Sequence, residues 1–493
     1  MSLAEQRRAT AWVLGGLLLL ALLHAWLHAS IRPLFQVSDE ISYLVALQAR
    51  ATAITEPGTP AYGCIAPPTG EPLPVDPGGK VLFRVAGGHV LASLCRAGVN
   101  STSAFWALRM LNALTLPVMV ATTFALGRLL NPESRPVALG AAALVALQPV
   151  AATMGGGITP DGLANAASGI ALWLASRRVQ GGASHWEAIP LAVATIATVV
   201  TKDTGAFLLP VAALAAAWPA WVATDGRPYW RVALATAAVV FTGMTIWTVL
   251  HFAPPTVLGP AARQYLPAVG SVPTILGLAF GHVASQAWAI LWGTWMPLGN
   301  FGASTLQLPR SSITLPLAVV GAAVVGLAML LCSSTTRSGL RRVVWLWWAA
   351  ITLCVLQPGI REALTNVPDV YQGRWSFPVL PLVAVLAMHG LWRLGVLRAR
   401  TLPLMLTALL LVASVGLLLV ASHYYRSFPD AVEPSHLFLR SSSLLALDQQ
   451  RLDIWTSRPD FLRLRTPFVW SSILWLTAAA ATLTASARLA RPD

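Results

Sequence analysis

Apolar runs of about 20 residues recur along the whole chain, and each is long enough to cross roughly 30 Å of hydrocarbon as a helix. Spans are expected near 10–31, 104–127, 137–154, 162–176, 187–203, 205–223, 231–252, 313–332, 342–357, 376–394, 402–421 and 467–487. Within lipid every backbone N–H and C=O must be satisfied internally, so the expected fold class is an all-α polytopic membrane protein of about twelve transmembrane helices. Only 11% of residues are charged, well below the share in an ordinary soluble domain, which excludes a soluble enzyme, a disordered chain or a coiled coil.

The formal net charge of +14 is spread as single or paired arginines between apolar segments, with no basic run. It therefore reads as membrane topology and not as a nucleic-acid surface. Arg7 and Arg8 precede the first span, and alternate short connections carry Arg128/Arg135, Arg177/Arg178, Arg227/Arg231, Arg337/Arg341/Arg342, Arg393/Arg398/Arg400 and Arg488/Arg491. By the positive-inside rule both termini are expected in the cytoplasm of a bacterial cell, in the plasma membrane. The first apolar stretch is longer than a signal-peptide core and is expected to be a retained anchor.

The connections are lopsided. Those on the expected cytoplasmic side hold about ten residues, whereas the outer ones cover 32–103, 253–312, 358–375 and 422–466. Long connections in a compact protein usually carry function, so chemistry is expected on the outer face of one domain covering 1–493. The cytoplasmic side has no phosphate-binding loop, which removes ATP-driven transport by this chain alone.

The first outer loop opens on Ser38-Asp39-Glu40 and continues into a short amphipathic helix through Leu47, with Ser38 or Asp39 as its cap. Residues 57–79 hold seven prolines and five glycines and read as coil. A second interfacial helix is expected over 80–97, with Lys80, Arg84 and Arg96 reaching headgroups. Segment 273–292 is apolar enough for a thirteenth span. Crossing there would place every later arginine cluster outside, so it is expected to be interfacial or re-entrant.

Polar residues stand at the outer ends of several spans. Asp39 and Glu40 follow the first, Asp161 opens the fourth within Gly155-Gly156-Gly157-Ile158-Thr159-Pro160-Asp161-Gly162, and Lys202-Asp203 tip the hairpin between the fifth and sixth. Gln372-Gly373-Arg374 precede the tenth. Taken singly, caps and snorkelling explain each of them. Taken together, carboxylates and cations at one depth suit a base and a phosphorylated ligand. His24 and His28, spaced i, i+4, are expected to be a packed polar face, and Arg109 to snorkel outward. The tryptophans, Trp345, Trp347 and Trp348 among them, are expected in an interfacial belt. Trp292 and Trp295 are candidates for sugar stacking.

This set, with Pro160-Asp161-Gly162-Leu163-Ala164-Asn165, Trp292-Gly293-Thr294-Trp295 through Leu308-Pro309, and Tyr371-Gln372-Gly373-Arg374-Trp375-Ser376-Phe377-Pro378, resembles the GT-C superfamily of membrane glycosyltransferases. More narrowly it is similar to a bacterial family of unknown function with an Asp-Glu first loop and a Gln-Gly-Arg-aromatic element. That family often has His three residues after Asp-Glu, where Tyr43 stands here. The resemblance implies a polyprenyl-phosphate-linked sugar donor, a glycan or lipid acceptor, an outward site and inversion at the anomeric carbon. Asp39 is the candidate base, with Glu40 beside it to orient it or to face elsewhere. Arg374, Lys202 and Gln372 are candidates for the donor phosphate. Asp39 and Asp161 could together hold a divalent cation, Mg²⁺ or Mn²⁺. Two readings from other classes stand beside this one: a secondary transporter or flippase of a lipid-linked glycan, and a non-catalytic subunit of a polymer-assembly complex. Cys64 and Cys95 share the first outer loop, where an oxidising exterior favours a disulfide.

Overall fold

The computed structural model describes residues 2–31, 40–60, 64, 80–181, 185–222, 277, 279–281, 283–284, 314–332, 338–365, 373–426 and 466–490. Among them there is no strand. In chain order the helices are α1 (Leu3–Ile31), α2 (Glu40–Ala53), α3 (Val81–Arg96), α4 (Ser101–Ala113), α5 (Thr115–Leu130), α6 (Arg135–Ala146), α7 (Pro149–Gly155), α8 (Pro160–Gln180), α9 (Ala188–Thr201) and α10 (Leu208–Val222). After them come α11 (Thr314–Cys332), α12 (Ser338–Thr365), α13 (Leu380–Arg393), α14 (Leu402–Arg426) and α15 (Thr466–Ala490). Short 3₁₀ turns lie at His185–Glu187, Asp203–Gly205 and Gly373–Val379.

Five stretches among the described residues are long and apolar enough to cross a membrane: Ala4–Ser30, Ser103–Leu130, Gly339–Ile360, Ser376–Arg393 and Trp470–Ala490. A sixth is available if α6 and α7, bent by 59° at Leu147-Gln148, count as one. The remaining apolar helices at 188–201, 203–218, 317–332 and 402–418 are shorter. The expected span over 231–252 lies outside the described residues, as does most of 273–292. From the latter, 277, 279–281 and 283–284 are helical, and Ala279 is buried against Gly359.

Breaks in the helices follow from prolines and caps. Pro149 and Pro160 sit in the first turns of α7 and α8, where a missing N–H costs nothing. Asn100 caps α4 by accepting from the Ser103 N–H at 2.8 Å. In α10, Pro219 cannot donate to the carbonyl of Ala215. Arg178, buried at the end of α8, supplies donors there instead, Nε to Ala215 O at 3.4 Å and a terminal nitrogen to Ala216 O at 3.2 Å.

Outward faces are apolar too. Leu404, Leu411, Val415 and Leu418 form an exposed stripe on α14, and Trp470, Ile473, Leu474 and Leu476 do so on α15. Exposed leucine over a close-packed leucine and alanine interior is the surface lipid requires. The tryptophan belt divides here. Trp345 and Trp348 are exposed, but Trp347 is fully buried and donates its indole N–H to Ser176 Oγ at 2.7 Å. It is a packing residue of the α8–α12 contact, because its N–H finds a partner inside.

Helices α11 and α13 cross at two glycines. A Cβ on Gly390 would lie 2.0 Å from the Ala322 carbonyl oxygen, and one on Gly326 would lie 2.1 Å from that of Leu386. Backbones in lipid approach this closely only where side chains are absent. Gly390→Ala should cost about 1–3 kcal/mol by forcing the helices apart, seen as a lower unfolding midpoint in detergent. An unchanged midpoint would mean that the crossing is not tight.

The segment from α2 to α4 has its own small core. Leu44, Leu47 and Ala51 of α2 meet Leu91, Ala92 and Cys95 of α3 and Phe105 and Leu108 of α4. Gly87 and Gly88 let α3 lie directly on Leu47 and Arg50 of α2. Cys64 and Cys95 are disulfide-bonded, with Cα atoms 5.8 Å apart. Closing a loop with a sequence separation of 31 contributes about 3–4 kcal/mol in the chain-entropy account. Lys80 places its ammonium 4.8 Å from the centre of the Tyr43 ring, so this lysine lies on an aromatic face of α2.

Candidate functional site

Segment 154–162, which joins α7 to α8, is where two buried ion pairs of the described residues meet. Its three successive glycines allow a close approach. A Cβ on Gly156 would come within 2.5 Å of the Ala25 carbonyl and 2.8 Å of the Ala29 nitrogen, both backbone atoms of α1. Asn112 of α4 donates through Nδ2 to the carbonyls of Met154 at 3.1 Å and Gly157 at 2.6 Å. These carbonyls lie at and just beyond the end of α7, where helical donors run out; Met154 O also accepts from the Gly157 N–H and Thr159 Oγ1, both at 3.4 Å, and the side-chain amide adds the shorter bonds.

Glu40, the first residue of α2, is fully buried. Its Oε1 accepts from Arg109 Nε at 2.7 Å and from the Ile158 N–H at 2.9 Å, and its Oε2 pairs with the other fork of Arg109. Arg109 also donates to the Ala29 carbonyl in the last turn of α1 at 3.1 Å, and its guanidinium lies 5.1 Å from the Trp106 ring centre. Arg109 was expected to snorkel outward. It points inward with no exposed surface, because a buried carboxylate and an unpaired helix-end carbonyl offer a planar fork what water would. The pair thus ties α1, α2, α4 and the α7–α8 turn to one point.

The second buried ion pair joins Lys202 to Asp161. Asp161 occupies the first turn of α8, where a carboxylate is favoured by the helix dipole, and Lys202 is the extended residue that ends α9. Lys202 is anchored by its backbone, its N–H donating to Thr198 O at 2.9 Å and its carbonyl accepting from Gly205 N at 3.0 Å. Asp203 accepts from the Thr204 N–H through its side chain and from Gln357 Nε2 through its carbonyl at 2.7 Å.

The 3₁₀ turn Gly373–Val379 packs on α7, α8, α12 and the Asp203–Gly205 turn, with Phe377 fully buried. Three sequence regions picked out separately, at 40, 161 and 202, meet at the turn between α7 and α8 and the start of α8. Asp39, Gln372, Trp292 and Trp295 lie outside the described residues. His24 and His28 are buried with ring centres 5.0 Å apart. Their Nδ1 atoms face Ala146 O at 3.1 Å and Thr153 Oγ1 at 3.3 Å, which is the packed polar face expected of them.

Among the described residues no group of three His, Cys, Asp or Glu gathers as a metal site would. Asp161, one of the two carboxylates weighed for a divalent cation, already neutralises Lys202, so a cation there would have to displace an ammonium. Sequence reading missed Arg109 and Asn112 as site residues. The available signal was an arginine inside an apolar span, which calls for a named partner.

No protein-family model and no curated protein sequence matches the chain, so the narrower likeness read from Tyr371–Pro378 rests on its motifs alone. Solved structures do align with it. One is ArnT from Cupriavidus metallidurans bound to undecaprenyl phosphate, at 16% identity and TM-score 0.44, over 94% of this chain and 76% of that one. Another is the Archaeoglobus fulgidus oligosaccharyltransferase tethered to an acceptor peptide, at 13% identity and TM-score 0.44, over 84% of this chain and 55% of that one. The same archaeal enzyme, AglB, with an inhibitory peptide and a dolichol-phosphate, aligns at 12% identity and TM-score 0.43, over 96% of this chain and 56% of that one. This chain thus spans three quarters of the first protein's length and little more than half of the archaeal one.

Proposed function

We propose that this chain is a GT-C-type glycosyltransferase that moves a sugar from a polyprenyl-phosphate donor to a glycan or lipid acceptor on the outer face of the plasma membrane, inverting the anomeric carbon. The observation that carries the reading is the meeting of two buried ion pairs, Glu40–Arg109 and Asp161–Lys202, around the α7–α8 turn of a largely apolar helical bundle. Burying charge in such a bundle is costly and marks function by default.

In this reading Asp39 takes the acceptor hydroxyl proton as the glycosidic bond forms. Electrons of the broken anomeric C–O bond leave with the polyprenyl phosphate, whose growing negative charge meets Arg374 and Lys202, with Gln372 donating a neutral hydrogen bond. Glu40 serves as a positioning residue: its carboxylate is committed to Arg109 and Ile158, and Asp39 is its chain neighbour. No step is routed through a divalent cation, since Lys202 already supplies positive charge to Asp161. A transporter or flippase would place its ionisable groups near the membrane midplane on broken helices, and the helix-terminal placement of these pairs favours the transferase.

Arg374 tests the reading. A guanidinium holds a phosphate through two parallel hydrogen bonds, and lysine keeps the charge but loses the fork. Arg374→Lys should weaken binding of polyprenyl monophosphate to the full chain in nanodiscs by about ten-fold or more, the loss of one charge-assisted bond. Unchanged affinity would assign Arg374 to a rim salt bridge.

A further inference from the structure

Gln6 and Ala29, the carbonyl held by Arg109, stand about 35 Å apart along α1 at 1.5 Å per residue. At the Gln6 end the turn between α5 and α6 gathers Arg128, Ser134 and Arg135. Gly127 makes it tight, since a Cβ there would lie 2.7 Å from Ala138 Cα. Asn131 closes it, accepting from the Ser134 N–H through both its carbonyl and its side-chain oxygen at 3.2 Å. Arg135 is held by α1, its Nη1 donating to Gln6 Oε1 at 2.7 Å. Arg128 is not held in this way. Its Nη1 is shielded from solvent and has no hydrogen-bond partner among the described residues, and Arg135 lies close enough for the two cations to repel. The Ser134 hydroxyl, at the start of α6, is also buried without a partner and does not cap the helix. Glu133 of the same turn is exposed, and among the described residues it pairs with neither arginine.

Snorkelling to water does not explain Arg128, because the nitrogen without a partner is one that solvent does not reach. Two guanidiniums, a hydroxyl and a helix N-terminus are the complement of an anion. The same helix shows where that anion comes from. Leu114, Ala121 and Arg128 are spaced by sevens, two helical turns, and so share one face of the Ser103–Leu130 stretch. Leu114, Ala121 and the neighbouring Val118 are exposed, as a lipid-facing track requires. From Val118 to Arg128 the helix rises about 15 Å, the hydrocarbon depth of one leaflet. Arg128 thus ends a track along which an acyl chain lies, at the level of that lipid's phosphate. Pro132 and Glu133 beside it are exposed, so a headgroup reaches the turn from the membrane surface and no internal cavity is needed.

We propose that Arg128, Ser134 and Arg135 bind the phosphodiester headgroup of an anionic membrane lipid whose chains lie along Leu114, Val118 and Ala121. The site is separate from the sugar chemistry proposed above and stands at the other end of the bundle. The two free oxygens of a phosphodiester match the fork of Arg128, and the single negative charge relieves the repulsion between the arginines. A zwitterionic lipid carries the same phosphate with an ammonium attached, and two guanidiniums with no carboxylate between them disfavour that second cation. Through Arg135 and Gln6 the bound lipid also ties the start of α1 to the α5–α6 turn.

The full chain, stripped of lipid in mild detergent and titrated under native mass spectrometry, should take up its first phosphatidylglycerol about ten-fold more tightly than phosphatidylcholine, the worth of one charge-assisted hydrogen bond. Arg128→Gln should lose that preference. Arg488→Gln, which removes an exposed arginine of α15, should keep it. Equal binding of the two lipids by wild type, or a preference retained by Arg128→Gln, overturns the site. So does an equal loss in both variants, which would reduce the effect to net charge. Millimolar inorganic phosphate should leave the first phosphatidylglycerol in place; displacement would make a soluble anion the ligand and overturn the lipid. Wild type alone covers the case in which Arg128→Gln does not fold. Phosphatidylglycerol with a photoreactive diazirine in its acyl chain should crosslink to residues 114–125, and crosslinks confined to other helices overturn the proposal.

Discussion

Asp39→Asn is expected to lower sugar transfer by about 10²–10⁴-fold, the usual contribution of a general base, while leaving the unfolding midpoint within error of wild type. The amide keeps the shape of the carboxylate and loses the lone-pair charge that accepts the acceptor proton. Its neighbour should behave in the opposite way. Glu40→Gln leaves the Ile158 N–H a partner but strands the Arg109 cation, so its damage should appear first in stability. Two adjacent acids would then separate by readout, one in turnover and one in folding. Transfer at wild-type rate in Asp39→Asn would remove the base assignment, whatever the sugar proves to be.

Removing Arg109 should be the most destabilising change in the described residues. Arg109→Ala leaves Glu40 buried as an unpaired charge and the Ala29 carbonyl without its donor, at a cost of about 3–5 kcal/mol. The double change Glu40→Leu with Arg109→Leu removes both charges together. A buried ion pair replaced by apolar residues of similar volume is commonly neutral or stabilising, so the double variant should recover most of that loss. Denaturant unfolding in mild detergent decides it. A single variant that costs less than about 1 kcal/mol, or a double variant as unstable as the single, would mean that the pair is not the tie described.

Much of this was legible because lipid imposes strict rules on a sequence. The helix expected over 80–97 lies at Val81–Arg96, whereas the one expected through Leu47 runs six residues further, to Ala53. Pro149 and Pro160, which open α7 and α8, act through neighbouring backbone, and local causes can be read locally. Partner choice is another matter. Arg109 and Glu40 are 69 residues apart and Asp161 and Lys202 are 41 apart, so which cation meets which acid depends on how the helices cross. Arg109 was read as snorkelling because a single sequence shows the arginine and hides the carboxylate that lies beneath another loop. Trp347 was read as belt for the same reason, since Ser176 is 171 residues away.

The long contact between α1 and α15 sets a timetable for assembly. Gly16 of α1 lies so close to α15 that a Cβ there would sit 2.1 Å from Thr482 Oγ1, and the two helices run along one another for much of their length. Residues 3–31 leave the ribosome hundreds of residues before 466–490 do. Throughout that interval one flank of α1 faces lipid or an insertion factor where a helix will later lie. Its glycine leaves a notch in the meantime, shallow enough for acyl chains to fill and to vacate. Synthesis interrupted before α15 leaves that seam open to the membrane.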